Sequence, residues 1–202
     1  NGVRAMFSNT TGSYNTSSGR LSMFSNTTGA SNTAIGANAL YSNTTGYSNI
    51  AIGIASLYRN TNKSNLVAIG DSSLYNNGVG AVNSPEATNN TAVGSKSLYS
   101  NTTGYSNTAT GSNTLYSNIN GYSNTANGIA ALYSNTSGYR NVANGAVALY
   151  SNTTGFYNTG CRFNSLTSNT TGYSNTAVGV ASLFSNTIKS NLVAVGDSAL
   201  YN

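Results

Sequence analysis

The chain repeats itself every seventeen residues. Gly2, Gly19, Gly36, Gly53 and Gly70 mark the period, and Gly94, Gly111, Gly128, Gly145, Gly179 and Gly196 resume it, with Arg162 standing in once. The step from Gly70 to Gly94 is 24 residues, seven longer than the others. The extra residues lie around 83–89 (NSPEATN), which holds the only Pro and the only Glu, and Pro with Asn favours a loop there. The frame contains twelve copies, the first and last incomplete, of N-T-A-[IV]-G-x-x-[AS]-L-[YF]-S-N-T-T-G-Y-S. A larger repeat sits above it: residues 1–76 align without gaps on 127–202, an offset of 126 that equals seven units plus the insertion. We therefore expect one repeat domain over 1–202, a window on a longer tandem array.

Seventeen residues are too few for two helices and a turn, and fixed short periods mean solenoids or arrays. The predicted fold is all-β, a parallel β-solenoid (β-roll or β-helix) of about twelve stacked 17-residue coils. "TAIG" and "ALYS" read as short strands, and "SNTTGYSN" as a turn in which Gly can take positive φ. Stacking at ~4.8 Å, the spacing of strands in a sheet, puts like over like. The ninth position then forms a dry core ladder: Met6 and Met23, followed by Leu40, Leu57, Leu74, Leu98, Leu115, Leu132, Leu149, Leu166, Leu183 and Leu200. The twelfth is Asn in every copy that contains it: Asn9, Asn26, Asn43, Asn60, Asn77, Asn101, Asn118, Asn135, Asn152, Asn169 and Asn186. Stacked side-chain amides can hydrogen-bond along the axis. No coil can hold itself, because ordering its backbone costs more than burying one Leu returns.

The tenth position is aromatic in eleven copies, including Tyr41, Tyr58, Tyr75, Tyr99, Tyr116, Tyr133 and Tyr150; Thr167 is the exception. If positions nine and ten share a strand, their side chains point to opposite faces. An inward Leu then implies an outward aromatic stripe, which predicts an interface with another chain or layer.

Composition narrows the functions. Charged residues are 5% of the chain, against about 25% in ordinary domains. The net charge of +5 comes from Arg4, Arg20, Arg59, Lys63, Lys96, Arg140, Arg162 and Lys189, scattered singly. Nucleic-acid binding needs clustered cations and is not expected. No apolar run approaches the ~20 residues that span a bilayer. His is absent, and the acids are Asp71, Glu86 and Asp197, so no catalytic, metal or cofactor site is expected. Cys161 is alone and forms no disulfide within the chain. Lys63 with Asp71, and Lys189 with Asp197, recur once per larger repeat, as a docking point or as a modest surface ion pair or two solvated charges.

Ten Asn-X-Ser/Thr sequons are candidate glycan acceptors: Asn9, Asn15, Asn26, Asn43, Asn62, Asn89, Asn101, Asn135, Asn152 and Asn169. Asn60, Asn77, Asn118 and Asn186 keep the twelfth-position Asn without a sequon, which points to the amide itself as the shared element. A Thr grid for ice is the weakest alternative, because the adjacent thirteenth and fourteenth positions cannot share a strand face.

"NTAIGANAL", "NTAVGSKSL" and "NTAVGVASL" resemble the head repeats of trimeric autotransporter adhesins, and "NTAVG…ALYSNTTG" is similar to repeats in phage tail fibres and large bacterial surface proteins. The resemblance implies intertwined parallel β-rolls, a homotrimer or filament, serving as an extracellular fibre or adhesive head that meets a host surface. The unit here is longer than the usual adhesin repeat, and the Leu-aromatic pair with "SNTTG" is an added element. The expected function is a structural and adhesive fibre segment on a cell-surface appendage or phage tail fibre. The alternative is a carbohydrate- or surface-binding module using external Tyr columns that include Tyr47, Tyr105, Tyr122, Tyr139 and Tyr173.

Overall fold

A computed structural model describes residues 2–202. It contains one parallel sheet and no helix among those residues, so none is long and apolar enough to cross a membrane. The sheet has eleven strands of three residues: β1 (Thr16–Ser18), β2 (Thr33–Ile35), β3 (Ile50–Ile52), β4 (Val67–Ile69), β5 (Thr91–Val93), β6 (Thr108–Thr110), β7 (Thr125–Asn127), β8 (Val142–Asn144), β9 (Thr159–Cys161), β10 (Thr176–Val178) and β11 (Val193–Val195). They lie in chain order, each paired with the next. Ala34 opposes Ala51, which opposes Ala68, and so on down the axis. The fold is a β-solenoid. There are eleven strands for twelve repeat copies because the first copy enters the described chain at its fifth position, Gly2.

The strand is the consensus second to fourth positions, and a period of two decides its faces. The middle residue points inward, and Ala34, Ala51, Ala68, Ala92, Ala109, Ala126 and Ala143 are fully buried. The flanking β-branched residues face out, and Ile35, Ile50 and Ile69 are 36–42% exposed. Opposite this narrow sheet runs the leucine line. Met23 and the leucines from Leu40 to Leu166 are fully buried, Leu183 nearly so, and all join one core with the Ala column. Leu200, expected to belong to that line, is 55% exposed in the last coil.

The "ALYS" segment is not a strand, which corrects the expectation from sequence. Its backbone changes hand residue by residue: Gly36, Asn38 and Leu40 have φ of 130°, 57° and 52°, and the pattern recurs in coil after coil. Left-handed φ costs a side-chain-bearing residue about 1–2 kcal/mol. The hydrogen bonds show what the alternation achieves. Gly36 and Asn38 donate their amides to Ser18 and Arg20 of the preceding coil. Leu40 and Ser42 donate theirs to Ser56 and Tyr58 of the following coil, while Ala39 and Asn43 close local turns on Gly36 and Leu40. Buried amides need partners, and Gly36, Asn38, Leu40 and Ser42 find theirs by being aimed up and down the axis in turn. Positions nine and ten therefore do not straddle a pleat. The leucine faces the interior, and Tyr41, Tyr58, Tyr75, Tyr99, Tyr116, Tyr133 and Tyr150 are half-buried, each ring stacked on its neighbours in the adjoining coils.

The period-marking glycines that face a following coil leave no room for anything larger. A Cβ on Gly94, at φ +131°, would lie 2.5 Å from the carbonyl oxygen of Gly111 in the next coil.

Ala130 occupies a left-handed corner position at φ 54°. Ala130→Gly is expected to stabilise the chain by about 1 kcal/mol, opposite to the usual sign for Ala→Gly. Urea denaturation measures it; a destabilised variant would show that the corner is not strained.

Candidate functional site: axial ladders and the insertion cleft

The twelfth-position asparagines form a buried chain of amides. Asn118 Nδ2 donates to Asn101 Oδ1 at 2.8 Å and to the Gly121 carbonyl at 3.0 Å, while Asn118 Oδ1 accepts from Asn135 Nδ2 at 2.8 Å. The same three bonds recur at Asn26, Asn43, Asn135, Asn152 and Asn169. Each amide reads the coil before it, the coil after it and its own turn. Gly at the fifteenth position fits closely here, since a Cβ on Gly121 would sit 2.4 Å from Asn118 Oδ1; Lys63, Ala87 and Lys189 are the exceptions in that column.

A second ladder, absent from the sequence reading, runs through the first position. Asn124 Nδ2 donates to Asn107 Oδ1 (3.1 Å) and to the Gly138 carbonyl (2.9 Å), and its backbone amide also donates to Asn107 Oδ1 (3.0 Å). Asn32, Asn49, Asn90, Asn107, Asn141, Asn158 and Asn175 occupy the equivalent place and are fully buried. A third line is built from threonine. Thr27, Thr28 and Gly29 point three consecutive amides at the single carbonyl of Thr44, and Thr27 Oγ1 adds a fourth donor at 3.0 Å.

The aromatic residues make two stacked columns. One runs from Phe7 and Phe24 through Tyr41 to Tyr150 with centroids 5.1–5.3 Å apart. Thr167 interrupts it before Phe184 and Tyr201. The other joins Tyr105, Tyr122, Tyr139, Phe156 and Tyr173 at 4.9–5.0 Å. Tyr47, grouped with them by sequence, stands apart and is 54% exposed. Arg140 caps Tyr157, its guanidinium over the ring and donating to the phenol oxygen. That hydrogen bond raises the arginine's pKa further above its ordinary value.

The ladders also revise the sequons. Asn26, Asn43, Asn101, Asn135, Asn152 and Asn169 are fully buried with both Nδ2 hydrogens engaged, so the folded coil does not present them for glycosylation. Asn9 and Asn15 are half-buried, with Nδ2 bonded to the Gly12 and Gly29 carbonyls. Asn62 and Asn89 are exposed.

Both exposed sequons flank the insertion. Gly78 and Ala87 still donate to Thr102 and Thr103 of the next coil, so the extruded loop is 79–86. Strand pairing, Tyr75–Tyr99 stacking and the Asn77–Asn101 bond all continue past it. The defect falls on the preceding step. Gly78 turns at φ 78° and gives its carbonyl to Ala81, and Asn77 Nδ2 donates to the Ala87 carbonyl. Asn60 Oδ1 is left buried without a hydrogen-bond partner. Lys63 lies beneath the loop, only 8% exposed, with Nζ 3.5 Å from the Asn83 carbonyl. The expected pairing with Asp71 is therefore replaced by the loop, and Asp197 accepts a hydrogen bond from the Val180 amide rather than meeting Lys189. Glu86 Oε2 caps the loop by accepting from the Val82 and Asn83 amides at 2.8 and 2.9 Å. Those bonds, the Asn83 one foremost, hold its pKa below the ordinary 4.5.

Among the described residues no three His, Cys, Asp or Glu side chains gather as a metal group would require. No family model matches the chain, and no curated protein or solved structure is detectably similar to it.

Two measurements test these sites. Asn118→Ala leaves Asn101 Oδ1 and one Asn135 N–H unpaired in the interior, at about 1–3 kcal/mol each. A loss of about 2–5 kcal/mol in chemical denaturation is expected, and a loss under 1 would mean the ladder is dispensable. For Glu86, a folded pKa below the unfolded one stabilises the loop above the unfolded value, and this is lost as pH falls through the folded one. The Val82 and Asn83 amide shifts should titrate with a midpoint below 4.5; a midpoint at or above it counts against the cap.

Proposed function

We propose that the chain is a stiff segment of an extracellular fibre, structural and adhesive, in a cell-surface appendage or phage tail fibre. One observation carries the reading. Equivalent residues stay stacked through all eleven strands, including past the insertion, so each added repeat lengthens the object without changing its cross-section. In repeat proteins of this kind stability comes from nearest-neighbour interfaces, which suits a mechanical element of variable length.

Self-association, as a homotrimer or a filament, is part of the proposal. The outer face of the sheet supports it. Ile35, Ile50, Ile52, Val67, Ile69 and Val93 form an uncharged, β-branched patch across β2–β5, and large apolar patches mark interaction surfaces. Contact with a host surface or carbohydrate receptor is the adhesive half, for which the Tyr105–Tyr173 column offers an aromatic edge along the axis.

Electron microscopy of the purified chain should show rods of roughly 50 Å or multiples of it, from ten steps at ~4.8 Å. Sedimentation should give a mass that is a multiple of 20.7 kDa. A monodisperse 20.7 kDa particle, with the β signature intact, removes self-association from the proposal.

A further inference from the structure

At the insertion the axial bonding is broken and opens into a cleft. In an ordinary coil, three consecutive turn amides converge on one carbonyl of the next coil, as Thr102, Thr103 and Gly104 do on Ile119 at 3.0–3.1 Å. The equivalent amides of Thr61, Asn62 and Lys63 make no such bond, because the Gly78 carbonyl that should receive them is turned to Ala81. Successive amides aimed at one point form a concavity suited to an anion.

The same residue brings a positive charge. Lys63 replaces the turn glycine, its stem packs against Gly78, and its ammonium is buried under the loop with one long contact, 3.5 Å to the Asn83 carbonyl. An ammonium has three hydrogens to donate, and a buried charge calls for partners. Glu86, the acid of the loop, is held by the Val82 and Asn83 amides and acts on Lys63 through space, without a direct ion pair. Asn62 and Lys63 open into a cleft of about 430 Å³ walled by Tyr47, Asn65, Asn83 and Ser84. That is within the usual range for small-molecule sites, about 300–1,000 Å³. Its wall is amides and hydroxyls with one exposed aromatic face, Tyr47 at 54%. This suits a polyhydroxylated body better than an apolar one.

We propose that this cleft binds an acidic sugar: its anionic group on the Asn62 and Lys63 amides and the Lys63 ammonium, its hydroxylated ring against Tyr47 and the loop amides. The site does not depend on the Tyr columns or on self-association. The lysine recurs at Lys189, 126 residues on, so the determinant follows the larger repeat rather than the coil.

The test is an amide-resolved NMR titration of the 202-residue chain with D-galacturonate, D-galactose and sodium sulfate. Galacturonate should shift the Asn62 and Lys63 amides saturably, and galactose at least tenfold more weakly. Lys63→Met keeps the buried stem and should weaken galacturonate at least tenfold; Lys63→Arg should restore much of the binding. Unchanged Asn-ladder resonances confirm that each variant is folded. No shift at Asn62 and Lys63 up to tens of millimolar galacturonate overturns the proposal, as does equal binding by folded Lys63→Met. Sulfate binding as tightly as galacturonate overturns the sugar and leaves a bare anion site.

Discussion

Everything in this chain depends on one coil finding its polar groups answered by the next. A seventeen-residue loop with a three-residue strand and a left-handed corner has no internal bonding sufficient to hold it. Its amides leave in both axial directions, and its buried side-chain amides do the same, from Asn118 back to Asn101 and forward to Asn135. The coil is thus only half of a bonding unit. Small residues follow from this closeness, since the fifth- and fifteenth-position glycines sit where a Cβ would strike the next carbonyl or the neighbouring Asn Oδ1. The leucine line adds burial, but it could be satisfied by many folds. The amide ladders can be satisfied only when coils are stacked in register.

That difference explains what was legible in the sequence. Periodicity states that residue n lies over residue n+17, and so the leucine column, the twelfth-position Asn column and the aromatic column could be written down without coordinates. It does not state how the backbone runs within a coil. "ALYS" looks like a strand because its residue types favour one, yet Leu40 sits at φ 52° and its side chain reaches the core from a corner. Here the tertiary demand for amides directed along the axis overrides local preference. The first-position Asn ladder was also missed, although a signal existed. Asn stands there from Asn15 to Asn175 except at Leu66, and Leu192 follows. An amide that yields only to a leucine, and never to Ser or Lys, is behaving as a buried residue. Leu66 is indeed fully buried, its backbone amide still donating to Asn49 Oδ1 at 3.2 Å.

The insertion shows which parts of the coil tolerate interruption. It enters after the leucine, aromatic and twelfth-position residues have been placed and leaves before the next strand. The sheet and the Tyr75–Tyr99 stack therefore pass it unchanged. The loss is confined to one step along the axis, where Asn60 Oδ1 is unpaired and the Thr61, Asn62 and Lys63 amides lose their axial acceptor. An unanswered buried acceptor costs about 1–3 kcal/mol, which a long array of satisfied neighbours can absorb. A solenoid is in this sense the fold in which a functional loop does least damage.

The coil that departs most from consensus makes the same point about coupling. Gly160 replaces the inward Ala, Cys161 the β-branched residue, Arg162 the glycine and Thr167 the aromatic, all within eight residues. Arg162 brings a Cβ to a place that admits none, and it does so at φ 97°, below the 121–152° of the glycines in that column. The amide bond just beyond it, from Gly179 to Cys161, is 3.0 Å, while its equivalents are 2.7–2.8 Å. Two residues earlier, Gly160 removes a methyl group from the facing interior, where a Cβ would now meet Ser165 Oγ at 3.0 Å and Leu149 at 3.4 Å. A side chain gained at one column is matched by one lost at its neighbour within the same coil. The lengthening is local to that coil: the Gly196 amide, just past β11, again lies 2.8 Å from the Val178 carbonyl.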